Sequence, residues 1–443
     1  MSGPREPFDI ARLVFMMSLM VGVFLGGGIF ASKEWQPYQL FEDGYNAARQ
    51  LYRESRQTRP DNLWKKRYDG DGVTLHDTAR VFQGLTLIQG LFPEGAGLRL
   101  VDMAGNVVHS WSADFFAIWE NPSHVIPEHN IPKGRLNYHT QGIWLFPEGS
   151  VVFNFGELGT AKLDKCGTVM WTVDRMTHHS ITVNADGSFW IPTKADVREV
   201  PDALKFKNIS LDGLMESGAR YEDRLLLVNP DGKIEREISV LQALFDGKFE
   251  RELFEARTNS HHDPTHVNDI EVVTPALAGK VDGVEAGDLL ISMRQMHMLA
   301  IMDEVSGQIK WTHTGPWLRQ HDADITDQGN IEVFNNGDSS LSLGRPPGSN
   351  IISLDPATGE SSTIYPLAGQ KEFFTKKMGM HQLLPNGNRL ITESQVGRVF
   401  EVDERGRIVW EYIKPYDDSH SALIESAIRY EDSYFTIADW SCP

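Results

Sequence analysis

Residues 323–336 read ADITDQGNIEVFNN. Apolar and polar residues alternate on both sides of an Asp-Gln-Gly turn. This is the pattern of two antiparallel strands joined by a tight turn whose glycine adopts positive φ. The same layout recurs as GIWLFPEGSVVFNF (142–155), ITVNADGSFWIP (181–192) and HQLLPNGNRLITES (381–394). A second hairpin accompanies most copies: an apolar residue, Asp or Asn, a short spacer, Gly, then a β-rich strand. It occurs six times, at Val101-Asp102 to Gly105, Leu163-Asp164 to Gly167, Val228-Asn229 to Gly232, Met302-Asp303 to Gly307, Leu354-Asp355 to Gly359 and Val402-Asp403 to Gly406. Two hairpins make a four-stranded sheet of about 45–60 residues that cannot bury both faces alone, and radial repetition solves this. The repeats predict an all-β fold, a six-bladed β-propeller from about residue 80 onward. Ser421 to Phe435 is expected to pack on the first blade and close the ring. One open sheet of tandem hairpins is the structural alternative, disfavoured by its exposed edges. Longer inserts fall at 197–220 and 240–263.

The rest of the chain is organised around this unit. Of 443 residues, 41% are hydrophobic and 23% charged, which excludes a largely disordered chain. The formal charge of −19 repels phosphate backbones, so nucleic acid is not an expected partner. Two cysteines exclude a disulfide-built scaffold and a four-cysteine metal site; whether Cys166 and Cys442 pair is left open. Leu13 to Ala31 is an uncharged apolar run of 19 residues, roughly enough at about 1.5 Å each to cross a bilayer core. It is long for the apolar part of a cleaved signal and lacks a good cleavage pattern, so an uncleaved anchor is expected over residues 1–32. Its glycines suit contact with another membrane helix, hence a membrane-protein partner or an oligomer. Residues 33–75 read as a polar, partly helical stalk, and 76–443 as the propeller. Basic residues flank the run on both sides, and their count alone would put the bulk of the chain in the cytoplasm.

Histidines mark the inner ends of five blades. His139, His179, His321 and His381 each open the first strand of a unit, and His266 opens VNDIEVV. Counted to the turn glycine, the offsets are ten, eight, eight and six for the first four. All are even, which predicts one strand-face parity and a shared funnel at the propeller mouth. Three chemistries fit such a set: a metal cluster, an anion site, or nucleophilic and acid–base catalysis. His261, His262, Asp263 and His266 suit the first but lie in an irregular insert. Arg294 favours the other two, because a guanidinium in an apolar strand matches a sulfate or phosphate and gives a metal site nothing. No metal is therefore expected.

The segments GLTLIQG, LRLVDMAGNVVHSW, THHSITVNADGSFWI, THVNDIEVV, LLISMRQMHMLAIMD, RQHDADITDQGNIEVFNNGD and MHQLLPNGNRLI together resemble the bacterial PAPS-independent arylsulfotransferases, over roughly residues 75–435. That resemblance implies a six-bladed propeller exported to the periplasm, here on an inner-membrane anchor. It implies that an aryl sulfate donates its sulfuryl group to a phenolic acceptor. His321 matches the histidine that is transiently sulfated. His179, His266 and Arg294 match its companions around the sulfuryl group, and Asn268 a hydrogen-bonding neighbour. His179 is preferred to His178 because its turn offset equals that of His321. His139 and His381 are further candidates for contact with substrate. No cofactor is implied, and no nucleotide-binding loop is found. Trp311, Trp317, Phe373 and Phe374 read as packing residues rather than contacts to the aryl ring. The chain lacks the family's separate N-terminal β-sandwich and close cysteine pair. A non-catalytic scaffold or accessory subunit of an envelope complex is the competing expectation, and a metal-dependent propeller hydrolase is third.

Overall fold

The computed structural model describes residues 10–32, 59–60, 62–205, 220–259, 263–337 and 348–442. The chain divides into two units, Met1–Pro60 and Asp61–Pro443. In the first, helix α1 (Ile10–Ser32) covers the apolar run, and large side chains from Phe15 to Leu25 are exposed. Among the described residues, no helix is long and apolar enough to cross a membrane. Most of the expected stalk, and both His261 and His262, lie outside the described residues.

The second unit is a six-bladed β-propeller, with six antiparallel sheets among the described residues. In chain order the innermost strands of blades 2 to 6 are Thr140–Leu145, Thr182–Val183, Val267–Val272, His321–Ile325 and Met380–Leu383. Blade 1 takes its innermost strand, Leu423–Tyr430, from the far end of the chain. The closing segment therefore does more than pack on the first blade: it is a strand of it. At the other end, Gly72–His76 adds a fifth, outer strand to blade 6. Arg67 meets Glu393 at 2.7 Å and Tyr68 donates to the same carboxylate. The segment expected to end a stalk is thus part of the propeller. The reason is local: GVTLH alternates well enough to pair with Ile408–Ile413.

Each of the six repeat turns has its glycine at φ between 70° and 87°, a backbone that suits glycine. The Asp or Asn heading the turn accepts from the backbone ahead of it, as Asp164 does from Cys166 and Thr168, both at 2.8 Å. Apolar side chains from neighbouring sheets fill six separate layers, one at each blade interface.

Polar latches tie the inner rim from blade to blade. Gln89 donates to Gln141 O (3.0 Å), and Gln141 accepts from His179 N (2.9 Å). Ser180 accepts from Ile270 N (3.0 Å), Asp269 from Ala323 N (2.6 Å) and Asp322 from His381 N (2.5 Å). Gln382 closes the circle by accepting from Arg429 N at 2.8 Å. Cys166 and Cys442 form a disulfide that ties the blade 2 turn to the last residues.

Candidate active site

The latches place the first residues of blades 3, 4 and 5 around one void. A cavity of about 290 Å³ is lined there by His179, His321, Asn268 and the apolar faces of Trp144, Ile181 and Met378. The rings of His179 and His266 lie 4.9 Å apart, centre to centre, and those of His179 and His321 lie 6.2 Å apart. His179 (φ 50°) and His266 (φ 51°) both sit in the left-handed region, a strained backbone of the kind found at functional sites. Arg294 is buried at the end of the second strand of blade 4, and its backbone N–H donates to His266 O at 3.1 Å.

All three rings are gripped at Nδ1, each by a different partner. His321 Nδ1 lies 2.6 Å from Asn336 Oδ1 and 3.2 Å from Arg319 O. Both partners only accept, so Nδ1 carries the proton and Nε2 keeps its lone pair. Asn336 cannot flip, because its amide nitrogen already donates to Thr375 O and Met378 O. His266 Nδ1 contacts the Asp263 carboxylate. His179 Nδ1 lies 2.8 Å from His178 Nδ1, and His178 Nε2 lies 3.0 Å from Asp223. The nearby carboxylate favours a proton on His178 Nε2, the arrangement in which its Nδ1 accepts and His179 Nδ1 donates. Asn268 donates to Gln320 O at 2.7 Å, which fixes the residue before His321.

Burial, with the positive field of Arg294 second, pulls His321 down to about 3, so the ring is neutral at physiological pH. Burial and then the neighbouring rings hold His179 well below its ordinary value. Burial also lowers His266, against the pull of Asp263. An unprotonated imidazole with a free Nε2 is a nucleophile. A guanidinium beside it can hold a transferring anionic group, and the two further rings add to that hold when they gain a proton at Nε2.

The structure brings together His179, His266 and His321, with Arg294 joined to His266, and sets His139 and His381 apart. His381 lines the same cavity, but Asp322 holds its Nδ1 at 2.5 Å, and Asp324 and Glu332 lie near its Nε2. Burial opposes its charge, yet these carboxylates hold it well above the ordinary histidine value. A ring set among carboxylates is poorly placed to meet an anion. His139 is half-buried near Glu425 (3.2 Å), held by desolvation and Lys377 at about 4. The parity argument fails because bulges interrupt the inner strands at Gln141/Ile143, Val267/Asp269 and His321/Ala323. Of the aromatic residues read as packing, Trp317 and Phe373 are buried and Trp311 stacks on His313. Among the described residues, Asp322, Asp324 and His381 form one cluster with metal-ligand character, on the wall of the cavity that His179 and His321 also line.

The sequence reading missed Asn336, Asp223 and Lys194, and passed over His178. The signal for Lys194 was there: a lysine in the strand FWIPTKAD, whose residues are all buried, needs a buried partner.

The site thus sets a neutral imidazole, His321, beside two further imidazoles of lowered pKa and the Arg294 guanidinium on a six-bladed propeller. Residues 139–415 match the family described as Arylsulfotransferase (ASST), and the chain belongs to that family. No curated protein matches it. Among solved structures it is similar to a protein of unknown function from Bacteroides caccae, with 12% identity over 78% of this chain and 98% of that one (TM-score 0.49). It is also similar to virginiamycin B lyase from Staphylococcus aureus (10% identity, 62% and 71%, TM-score 0.36). A third is the Pan2 WD40 domain of Neurospora crassa (10%, 75% and 76%, TM-score 0.39).

Proposed function

We propose that the protein moves a sulfuryl group from an aryl sulfate to a phenol through a sulfohistidine at His321. The observation that carries this is the grip on His321 Nδ1, which leaves a neutral ring with its lone pair on Nε2 beside two histidines. Nε2 attacks sulfur in line, the S–N bond forms, and the S–O(aryl) bond breaks with its electron pair leaving on the phenol oxygen. A proton from a neighbouring imidazole completes the leaving phenol. A second phenol then takes the sulfuryl group by the reverse step. Two displacements replace one harder one. Arg294 holds the sulfuryl oxygens, His179 and His266 join it when protonated at Nε2, and Trp144 with Ile181 offers the aryl ring an apolar face.

The same proposal places the propeller in the periplasm. A disulfide persists in oxidising compartments, and the Cys166–Cys442 bridge supports that side of the membrane.

Steady-state transfer from 4-nitrophenyl sulfate to phenol is expected to give parallel double-reciprocal lines. A brief chase of labelled donor should leave sulfate on the wild-type protein and none on His321→Ala. Normal turnover by that variant would reject the assignment.

A further inference from the structure

Behind the three rings lies a buried ionic hub. Lys194 is almost wholly buried and contacts two carboxylates, Asp223 at 2.7 Å and Asp263. Asp223 also accepts from Thr265 and from Val267 N (3.0 Å), which seats the start of blade 4 against blade 3. Against the cost of burial, Lys194 and His178 hold Asp223 ionised. His266 and Lys194 do the same for Asp263. A lysine and an aspartate at the depth of Lys194 and Asp223 are costly unless paired, and the contacts of Asp223 and of the half-buried Asp263 run on to site histidines.

Resting on the transfer reaction above, we propose that Asp263, Asp223 and Lys194 are positioning residues that make His266 the acid–base group. The two arms of the hub differ in kind. Asp263 puts a negative charge directly on Nδ1 of His266, so a proton arriving at Nε2 is stabilised across the ring. Asp223 reaches His179 only through the neutral ring of His178, which fixes the tautomer of His179 without placing a charge on it. An arriving sulfate monoester adds a negative charge, and in its field His266 takes a proton from solvent at Nε2. Its Nε2 proton then passes to the phenol oxygen as the S–O bond breaks, and His266 takes a proton back from the acceptor phenol in the second step. Lys194 keeps both carboxylates ionised and apart.

The test compares single-turnover sulfation of wild type and Asp263→Asn by two donors. 4-Nitrophenyl sulfate leaves without much help; phenyl sulfate needs a proton. The variant is expected to lose about 100-fold with phenyl sulfate and less than about tenfold with the nitro compound, with KM little changed. Equal losses with both donors would overturn the role, because a merely structural defect has no leaving-group preference. Nitrogen-15 imidazole spectra of the wild-type protein are a second readout, independent of any variant's folding. His179, His266 and His321 should each appear protonated at Nδ1 and bare at Nε2. The opposite tautomer at His266 would also overturn it. A wild type that transfers no sulfate to any phenol rejects the reaction instead, and the spectra still decide the tautomers.

Discussion

Gly142→Ala should disable the site without touching any of its side chains. Gly142 occupies the bulge at the start of blade 2 with φ 36°. A Cβ built there falls 1.7 Å from His179 O and 2.8 Å from His179 C. Such a contact needs about 3.2 Å, and close-packed interiors have little slack to supply it. The His179 backbone must retreat by roughly 1.5 Å. A misplacement of about 1 Å in a reacting constellation costs about 100-fold in rate. The left-handed backbone adds roughly 1–2 kcal/mol of strain for any residue with a Cβ. The expectation is a fall in kcat/KM for 4-nitrophenyl sulfate of at least about 100-fold. Thermal denaturation would still show a cooperative transition. Gly134→Ala is the control, since its Cβ meets nothing nearer than 3.6 Å. A Gly142→Ala protein within about threefold of wild type would refute the reasoning that His179 acts from a fixed place.

Two further outcomes are expected. Burial, with Asp322 second, pushes the Asp269 carboxyl at the cavity wall up to about 7. It is therefore neutral below that pH and ionised above it, where it repels an anionic donor. The pH profile of kcat/KM should fall on the alkaline side of about 7, and Asp269→Asn should flatten that limb; an unaltered limb points to another group. Removing the Cys166–Cys442 bridge by a double serine substitution releases a loop of sequence separation 276. The chain-entropy ceiling for that loop is roughly 5 kcal/mol, or about 6 °C in the melting midpoint at this size. A midpoint shift under about 1 °C would show that the last residues contribute little to the fold.

The blades were legible because their signals are local. A glycine at positive φ, capped by an Asp or Asn three or four residues earlier, needs no distant partner to be read, and all six such turns are in place. The convergence of His179, His266 and His321 was legible from their shared position at inner strand starts. What surrounds each ring was not. His381 looks like its counterparts in sequence, yet its environment is set by Asp322 and Asp324 of the preceding blade. His139 owes its setting to Glu425, which arrives on the closing strand. The hub joins Lys194, Asp223 and Asp263 from segments far apart in the chain, one of them inside an insert with no repeat pattern. Bulges shift register by a single residue, and a strict count of two cannot see them.

Ring closure by Leu423–Tyr430 also sets a timetable. This strand follows blades 2 to 6 in the chain, so blade 1 has an unfilled inner edge until it pairs. Gln89 has no Ser426 to hold it, and Arg429 is not yet there for Gln382. Until then the inner circumference is an arc, free to splay, and the histidines at its middle have no fixed radius. The geometry of the histidine group is therefore expected to be complete only when Leu423–Tyr430 has joined blade 1.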